Sequence, residues 1–378
     1  MTSSSHEWMA QALQLARKGL YTTDPNPRVG CLLVKEGQIV GQGWHEKAGE
    51  PHAEVYALRQ AGEQARGAVA YVTLEPCSHT GKTPPCADAL IEQGIAKVVV
   101  AMQDPNPLVS GQGIEKLRAA GVVVEVGLLG DAAQELNCGF ISRMEKGRPF
   151  VRLKLAVSLD GRTAMQNGES QWISGAESRL DVHRYRARSS AILTGIGTVK
   201  NDDPSLNVRL PPEQIANLTE AGYAFTERQP LRVVVDSHLS INPNARLLSI
   251  PGKVLIVCTC NAEEKKADRL RAKGADVMVM ASSQNQVDLP LLLQELGKRG
   301  VNELFVEAGE TLNGALLQSG LVDEVLVYMA PHLMGDQARS MFHLPMVQAM
   351  AARIPLQFVD VRQIGADLRL TLRPTRGT

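Results

Sequence analysis

Aromatic side chains are scarce here: Phe, Trp and Tyr together make up 4% of 378 residues. Net charge is lacking too, with 40 Lys+Arg against 40 Asp+Glu. A chain built to grip nucleic acid uses a basic groove and stacking rings. These two deficits argue against that class, while leaving room for a local basic pocket that holds one phosphate. No stretch reaches the roughly 18 consecutive apolar residues of a membrane span. The segment Met1 to Leu20 carries no continuous apolar run of the secretory type. Six cysteines are too sparse for a disulfide framework. The expectation is a cytoplasmic protein with neither membrane nor nucleic-acid partner.

The length exceeds one typical core, and domains of roughly 100–200 residues make two the natural number. Helical spacing of Trp8, Met9, Ala12, Leu13, Leu15 and Ala16 predicts a helix over 5–18. Strands follow at 29–35 and 39–44 around the turn Glu36-Gly37, then a helix at 53–61. Strands at 68–74, 97–102 and 122–126 alternate with helices at 87–93, 114–120 and 131–144, which predicts an α/β layered sheet. Lys146-Gly147-Arg148-Pro149 is a polar break, so the boundary is placed there: residues 1–147, then 148–378. The second part repeats the alternation, with strands at 151–157, 190–194, 232–236, 253–258, 276–280 and 303–307. Its helices are expected at 176–188, 263–273, 288–299 and 312–319, and strand-like runs close it at 324–330, 356–361 and 367–373.

His52-Ala53-Glu54 sits where a Gly/Pro loop becomes a helix; Cys77 follows a strand and Cys86 opens the next helix. One His, two Cys and a water make a four-coordinate catalytic zinc with one open position, one ion per chain. Zinc deaminases carry H-x-E and then P-C-x-x-C, with the Glu not a ligand. Here the cysteines stand nine positions apart rather than three. Zinc lowers the pKa of bound water from about 15.7 to about 7, giving a hydroxide that attacks a ring carbon bearing an amino group. Glu54, two residues from His52, is placed to shuttle protons to the ring nitrogen and the departing amine. The alternative is a closed structural zinc, for which His79 is the candidate fourth ligand. Cys31, Cys138, Cys258 and Cys260 read as buried, reduced and inert.

The second half is less explicit. Gly195-Ile196-Gly197 approaches a dinucleotide fingerprint, but Lys200 stands where the third glycine belongs, so a Rossmann site is not expected. The segment Glu307-Ala308-Gly309-Glu310-Thr311-Leu312-Asn313-Gly314-Ala315 follows a strand and opens a helix. It is either a phosphate cradle or an ordinary turn. Glu310 there has to point away from a phosphate or be paired. Arg186 and Arg209 suit a phosphate clamp, since guanidinium forks pair phosphate oxygens, unless Arg186 merely lies on a solvated helix face.

Three strings carry a resemblance: Asn26-Pro27-Arg28-Val29-Gly30, Gly43-Trp44-His45 through Pro51-His52-Ala53-Glu54, and Glu75-Pro76-Cys77 through Pro85-Cys86. They resemble the bifunctional riboflavin-biosynthesis deaminase–reductase family. The His-Thr-Gly-Lys-Thr-Pro-Pro filling between the cysteines is specific to that family among cytidine-deaminase-like folds. Lys154-Leu155-Ala156-Val157-Ser158-Leu159-Asp160-Gly161-Arg162, Ser170-Gln171-Trp172-Ile173-Ser174 and Asp202-Asp203-Pro204 are similar to its reductase part. The match covers essentially the whole chain and is weakest at 211–230 and 335–355.

The resemblance implies a three-layer cytidine-deaminase-like domain followed by a dihydrofolate-reductase-like α/β domain that binds NADPH. The implied substrate is a phosphorylated pyrimidine, deaminated and then reduced at its ribosyl group. Implied deaminase contacts are Asn26, His45, His79 and Lys82. Implied reductase substrate contacts are Lys154, Ser170, Ser174, Arg186, Leu206, Arg209 and Glu307. Cofactor contacts are implied at Ala156, Trp172, Thr198, Asp202, Ser237 and Gly309 to Ala315. The proton of the reductive step comes from Lys154 or a nearby acid, between which the sequence does not choose. A homo-oligomer is expected, with a dimer favoured. The competing expectation is a nucleic-acid base deaminase with a C-terminal binding module.

Overall fold

The structure, a computed structural model, describes residues 3–78, 85–107, 109–259, 263–281 and 285–375. The chain forms two compact units: Met1–Gly147 with Pro211–Thr226, and Arg148–Leu210 with Glu227–Thr378.

The first unit runs α1 (Ser3–Lys18), β1 (Gly30–Lys35), β2 (Gln38–Trp44), α2 (Ala53–Ala61), β3 (Val69–Val72), α3 (Cys86–Glu92), β4 (Lys97–Val100), α4 (Gln112–Ala119), β5 (Val123–Val126), α5 (Gly130–Leu136) and α6 (Cys138–Lys146). Its sheet has the order β2-β1-β3-β4-β5; β1 pairs antiparallel with both neighbours, and the rest is parallel. Two-residue periodicity sorts β1 between layers. Leu32 and Val34 pack with Met9, Ala12 and Leu13 of α1, while Cys31 and Leu33 pack with Ala53, Ala57 and Leu58 of α2. The strand is buried on both faces, so it reads as a continuous apolar run.

Two glycines let α2 lie directly on β2. A Cβ on Gly43 would stand 2.4 Å from the Ala53 carbonyl oxygen, and one on Gly41 2.2 Å from that of Ala57. Being two apart, they share one face of the strand. The helix carrying Glu54 is thereby held at backbone distance from the sheet.

The expected helix over 131–144 is two helices broken at Asn137. The buried Asn137 side chain accepts from the Arg28 N–H at 2.8 Å and donates to the Arg28 carbonyl at 3.0 Å. It acts as a strand partner for Arg28, and its own backbone leaves helical geometry at φ −111 and ψ 19.

The second unit runs β6 (Phe150–Ser158), β7 (Arg162–Ala164), α7 (Ala176–Arg188), β8 (Ala191–Gly195) and α8 (Ile196–Asp202). The chain then forms α9 (Pro212–Glu220), which belongs to the first unit. There the Ala224 N–H donates to the Lys18 carbonyl at 2.8 Å, and Tyr223 and Phe225 stand 5.7 and 5.9 Å from the Tyr21 ring. The second unit resumes with β9 (Leu231–Val235), α10 (Arg246–Ser249), β10 (Val254–Thr259), α11 (Glu264–Arg271), β11 (Asp276–Met280), α12 (Leu289–Lys298), β12 (Glu303–Val306) and α13 (Glu310–Gln318). It ends with β13 (Glu324–Ala330), β14 (Arg339–Ser340), β15 (Leu356–Ile364) and β16 (Asp367–Pro374).

Nine strands form one sheet in the order β11-β10-β9-β8-β12-β6-β13-β16-β15, parallel from β11 to β13 and antiparallel at its last two strands. Its centre is largely apolar but holds a buried ionic cluster. Arg152 of β6 donates to Glu303 of β12 at 2.8 Å and to Glu324 of β13 at 2.5 Å, all three buried. Both carboxylates are supplied by neighbouring strands, so the buried guanidinium is compensated across the sheet. The short ribbon β7–β14 stands apart from this sheet. Neither that ribbon nor α8 and α9 has a counterpart in the sequence reading.

Candidate active sites

In the first unit, His52 is the N-cap of α2, with Glu54 in its first turn. Cys86 opens α3, and Cys77 lies in the loop after β3. His52 Nδ1 is 3.6 Å from Cys77 Sγ and 3.3 Å from Cys86 Sγ, and the Cys86 N–H donates to Cys77 Sγ at 3.3 Å. Among the described residues these three form the metal-competent cluster, with all donor atoms within 4.8 Å of one another. One imidazole nitrogen and two sulfurs suit zinc with an open fourth position. Hydrogen bonding with Cys86 pulls Cys77 down to about 4, and the same contact together with burial pushes Cys86 up. A thiolate is the form a metal takes.

Glu54 is buried, which pushes its carboxyl up, and the Cys77 sulfur adds to that; it reaches about 7. His45 Nδ1 lies 3.0 Å from the Pro51 carbonyl, which can only accept, so the ring proton sits there and Nε2 takes the Asn26 amide N–H at 3.1 Å. Burial lowers the His45 pKa and keeps this tautomer neutral. The expected contacts His79 and Lys82 lie outside the described residues, as does Cys260. So does His79 in its alternative role as a fourth ligand.

Glu75 was not singled out from sequence. Its carboxylate accepts four backbone N–H groups, from Asp104 and Gly111 at 3.0 Å, Gly113 at 2.9 Å and Ile114 at 3.3 Å. It ties the start of α4 and its preceding loop to the strand end that leads to Cys77. A carboxylate in a loop gives no sequence signal for such wrapping.

The second unit holds a cavity of about 1020 Å³ at the carboxyl ends of β8, β9 and β12, the usual ligand position in an open parallel sheet. Lys154, Arg186, Leu206, Arg209 and Glu307 line one part of it. Ser170, Trp172 and Ser174 line it from the segment before α7. Ala156, Thr198, Asp202 and Ser237 also face it, with Gly309, Glu310, Thr311, Leu312 and Ala315 at the start of α13. Asn313 and Gly314 do not line it. Asn313 is buried and donates to the Ala308 carbonyl at 2.8 Å, and a Cβ on Gly314 would meet the His343 carbonyl oxygen at 2.0 Å.

Arg186 is not a solvated surface cation. It grips Glu307 through Nε to Oε1 at 2.6 Å and Nη2 to Oε2 at 3.0 Å, and its Nη1 reaches the Asn207 carbonyl at 3.1 Å. Burial lowers the Lys154 pKa, partly offset by Glu307. Glu310 accepts from the Ser340 hydroxyl of β14 at 2.8 Å, a neutral donor that leaves its charge in place. Trp172 is 69% exposed, with the Arg179 guanidinium 4.5 Å from its ring centroid. Arg179, His183 and Arg339 also line the cavity and were missed. For His183 a signal existed, since it lies three residues before Arg186 on one helix face. Cys31 and Cys258 are buried and Cys138 is half-buried, and none of the three forms a disulfide among the described residues.

Two family descriptions match the chain. "Cytidine and deoxycytidylate deaminase zinc-binding region" covers residues 2–102, and "RibD C-terminal domain" covers 149–370. The chain is 49% identical over 366 residues to the riboflavin biosynthesis protein RibD of Escherichia coli strain K12, spanning 97% of this chain and 98% of that one. It is 49% identical over 369 residues to RibD of Haemophilus influenzae, spanning 97% and 96%. Among solved structures, Acinetobacter baumannii RibD, form 1, aligns with a TM-score of 0.87 at 47% identity over 99% of both chains. A Thermotoga maritima protein described as a diaminohydroxyphosphoribosylaminopyrimidine deaminase/5-amino-6-(5-phosphoribosylamino)uracil reductase aligns with a TM-score of 0.83 at 32% identity, over 98% and 99%.

Proposed function

The chain belongs to the RibD family of bifunctional riboflavin-biosynthesis enzymes, and from that premise we propose how its residues divide two successive reactions. It is a deaminase and a reductase. The deaminase step hydrolyses the 2-amino group of 2,5-diamino-6-(5-phosphoribosylamino)pyrimidin-4(3H)-one, releasing ammonia. The reductase step uses NADPH to convert the ribosyl group of the resulting uracil to ribityl. We assign the first to residues 1–147 and the second to 148–378. The observation that carries the assignment is the separation of the donor sets: His52, Cys77, Cys86 and Glu54 lie in one unit, and the ion-paired cavity lies in the other.

Zinc, held by His52, Cys77 and Cys86, supplies Lewis-acid activation of the attacking water. Glu54 takes one proton of that water on its carboxylate and delivers it to the ring nitrogen, then carries the remaining hydroxyl proton to the amine, which leaves as ammonia. His45 fixes the Asn26 amide, whose carbonyl oxygen then accepts from an amino group of the pyrimidine. His79 and Lys82 complete the substrate contacts.

NADPH, when bound, supplies the hydride. We place it on Ala156, Trp172, Thr198, Asp202, Ser237, Gly309, Glu310, Thr311, Leu312 and Ala315, with backbone N–H groups at the start of α13 toward its phosphates; Asn313 and Gly314 hold the helix from behind instead. Glu307 with Arg186 and Lys154 meets the sugar, and Arg209 the sugar phosphate. Ser170, Ser174 and Leu206 complete that wall.

No helix among the described residues is long and apolar enough to cross a membrane. We place the enzyme in the cytoplasm, where thiol ligands stay reduced. We also propose a homo-oligomer, with a dimer favoured. Its support is the edge strand β15, whose Phe358, Val359 and Val361 are 61%, 49% and 54% exposed.

One experiment tests the scheme: supply the diaminopyrimidinone phosphate and NADPH, then follow ammonia and NADPH absorbance together. Ammonia first, with stoichiometric NADPH loss after it, is expected. NADPH oxidation without prior ammonia release, or base conversion in single-stranded RNA or DNA, overturns it.

A further inference from the structure

His183 lies on α7 one helical turn before Arg186, and both line the reductase cavity. Its Nδ1 accepts the backbone N–H of Arg209 at 3.2 Å. Arg209 ends a loop that is awkward to hold. Asp203 and Leu206 are non-glycine residues at φ 40 and 48, a region that L side chains occupy only under tertiary constraint. Arg186 Nη1 on the Asn207 carbonyl at 3.1 Å and the Arg246 N–H on Asp203 Oδ1 at 2.8 Å oppose that cost earlier in the loop, and two further tethers hold its end at Val208 and Arg209. One is the Gln229 side chain, which accepts from the Val208 N–H at 2.8 Å and donates to the Val208 carbonyl at 3.3 Å. The other is His183.

We propose that His183 is a positioning residue for the reductase: its ring nitrogen anchors the Arg209 backbone and so presets that guanidinium beside Arg186 for the substrate's sugar phosphate. The proposal rests on the reading of Arg209 as a phosphate contact. The role requires a bare Nδ1, and the surroundings supply it. Burial first, then the Arg186 and Arg209 charges, hold the His183 pKa down to about 4, so the ring is neutral near pH 7. With Nδ1 accepting, the single ring proton sits on Nε2. A Lys or Arg at 183 would add a third cation and offer no acceptor, whereas a neutral imidazole anchors the loop without that repulsion.

The test exploits amide geometry. In His183→Asn the amide oxygen stands near the Nδ1 position; in His183→Gln it stands one carbon further out, near Nε2. The holoenzyme variants are compared in KM for the phosphorylated substrate, KM for NADPH, kcat, and turnover of the same substrate without its phosphate. NADPH binding by fluorescence confirms that the reductase half is folded. His183→Gln and His183→Ala should raise KM for the phosphorylated substrate about three- to tenfold, and His183→Asn about twofold or less. Their kcat, their KM for NADPH and their turnover of the phosphate-free substrate should stay near wild type. Equal effects of Asn and Gln, or equal loss on both substrates, overturn the positioning role. Arg209→Gln separates the two layers. If it raises KM for the phosphorylated substrate while His183→Gln does not, the anchor is wrong and the clamp stands. If it changes nothing, the clamp reading itself fails and takes the anchor with it.

Discussion

Arg186 of α7 and Glu307 at the end of β12 form a two-pronged ion pair, with N···O distances of 2.6 and 3.0 Å and side chains 11% and 12% exposed. Burial alone would push the Glu307 carboxyl up; Arg186, with Lys154 and His183 behind it, brings it down to about 2. In the unfolded chain the same carboxyl titrates near 4.5. The folded state therefore binds fewer protons between these values. The stabilisation is complete above about pH 4.5 and is lost as pH falls toward 2. It amounts to on the order of 3 kcal/mol. Melting temperatures of wild type and Glu307→Gln, measured from pH 6 to pH 3, should converge on acidification. A constant gap across that range would show that the pair is not the source. At pH 7 the variant should lose reductase turnover while releasing ammonia normally.

Glu54→Gln keeps the shape of the first site and removes its proton carrier. Ammonia release should fall about 10²- to 10⁴-fold, with zinc content by atomic absorption unchanged. Undiminished ammonia release would take the shuttle role away from this residue.

Cys77→Ala removes one of three metal donors, and a site of one His and one Cys cannot hold zinc at a catalytic geometry. Bound zinc and deamination should both disappear. NADPH oxidation with pre-deaminated substrate should persist within about twofold of wild type, because the reductase cavity shares no residue with this cluster. Parallel loss of both activities would show that the units depend on one another.

Gly43→Ala tests how the zinc site is seated. The new methyl would sit 2.4 Å from the Ala53 carbonyl oxygen and 2.6 Å from Tyr56 Cβ, so α2 has to move away from β2. Destabilisation of about 1–3 kcal/mol is expected, together with faster zinc loss to a chelator, because His52 and Glu54 ride on that helix. A variant with wild-type zinc retention would mean that α2 tolerates the displacement without disturbing its ligand.

The zinc site was legible because its chemistry allows few residue types and local structure does much of the placing. His52 and Glu54 sit two apart at one helix start, and Cys86 opens another. The wide gap between Cys77 and Cys86 was no obstacle, since both flank the same strand-to-helix connection. The reductase cavity was less legible: its residues come from segments more than 150 positions apart, and nothing local marks their convergence. Arg186 illustrates the difficulty. In Arg184-Tyr185-Arg186-Ala187-Arg188 it is indistinguishable from a solvated cation until β12 brings Glu307 against it.

Alternation of apolar residues fixed the α/β class and most of the strands, since burial on one or both faces leaves its period in the chain. Side-chain chemistry likewise fixed the metal donors. Tertiary packing decided what periodicity cannot encode. It split the helix at Asn137 through two bonds to Arg28, and it carried Tyr223 and Phe225 to Tyr21 in the first unit. It wrapped four N–H groups around Glu75 and turned a histidine nitrogen toward the Arg209 backbone. Each of these is a contact between groups distant in sequence, and such contacts become favourable only once the intervening chain has folded.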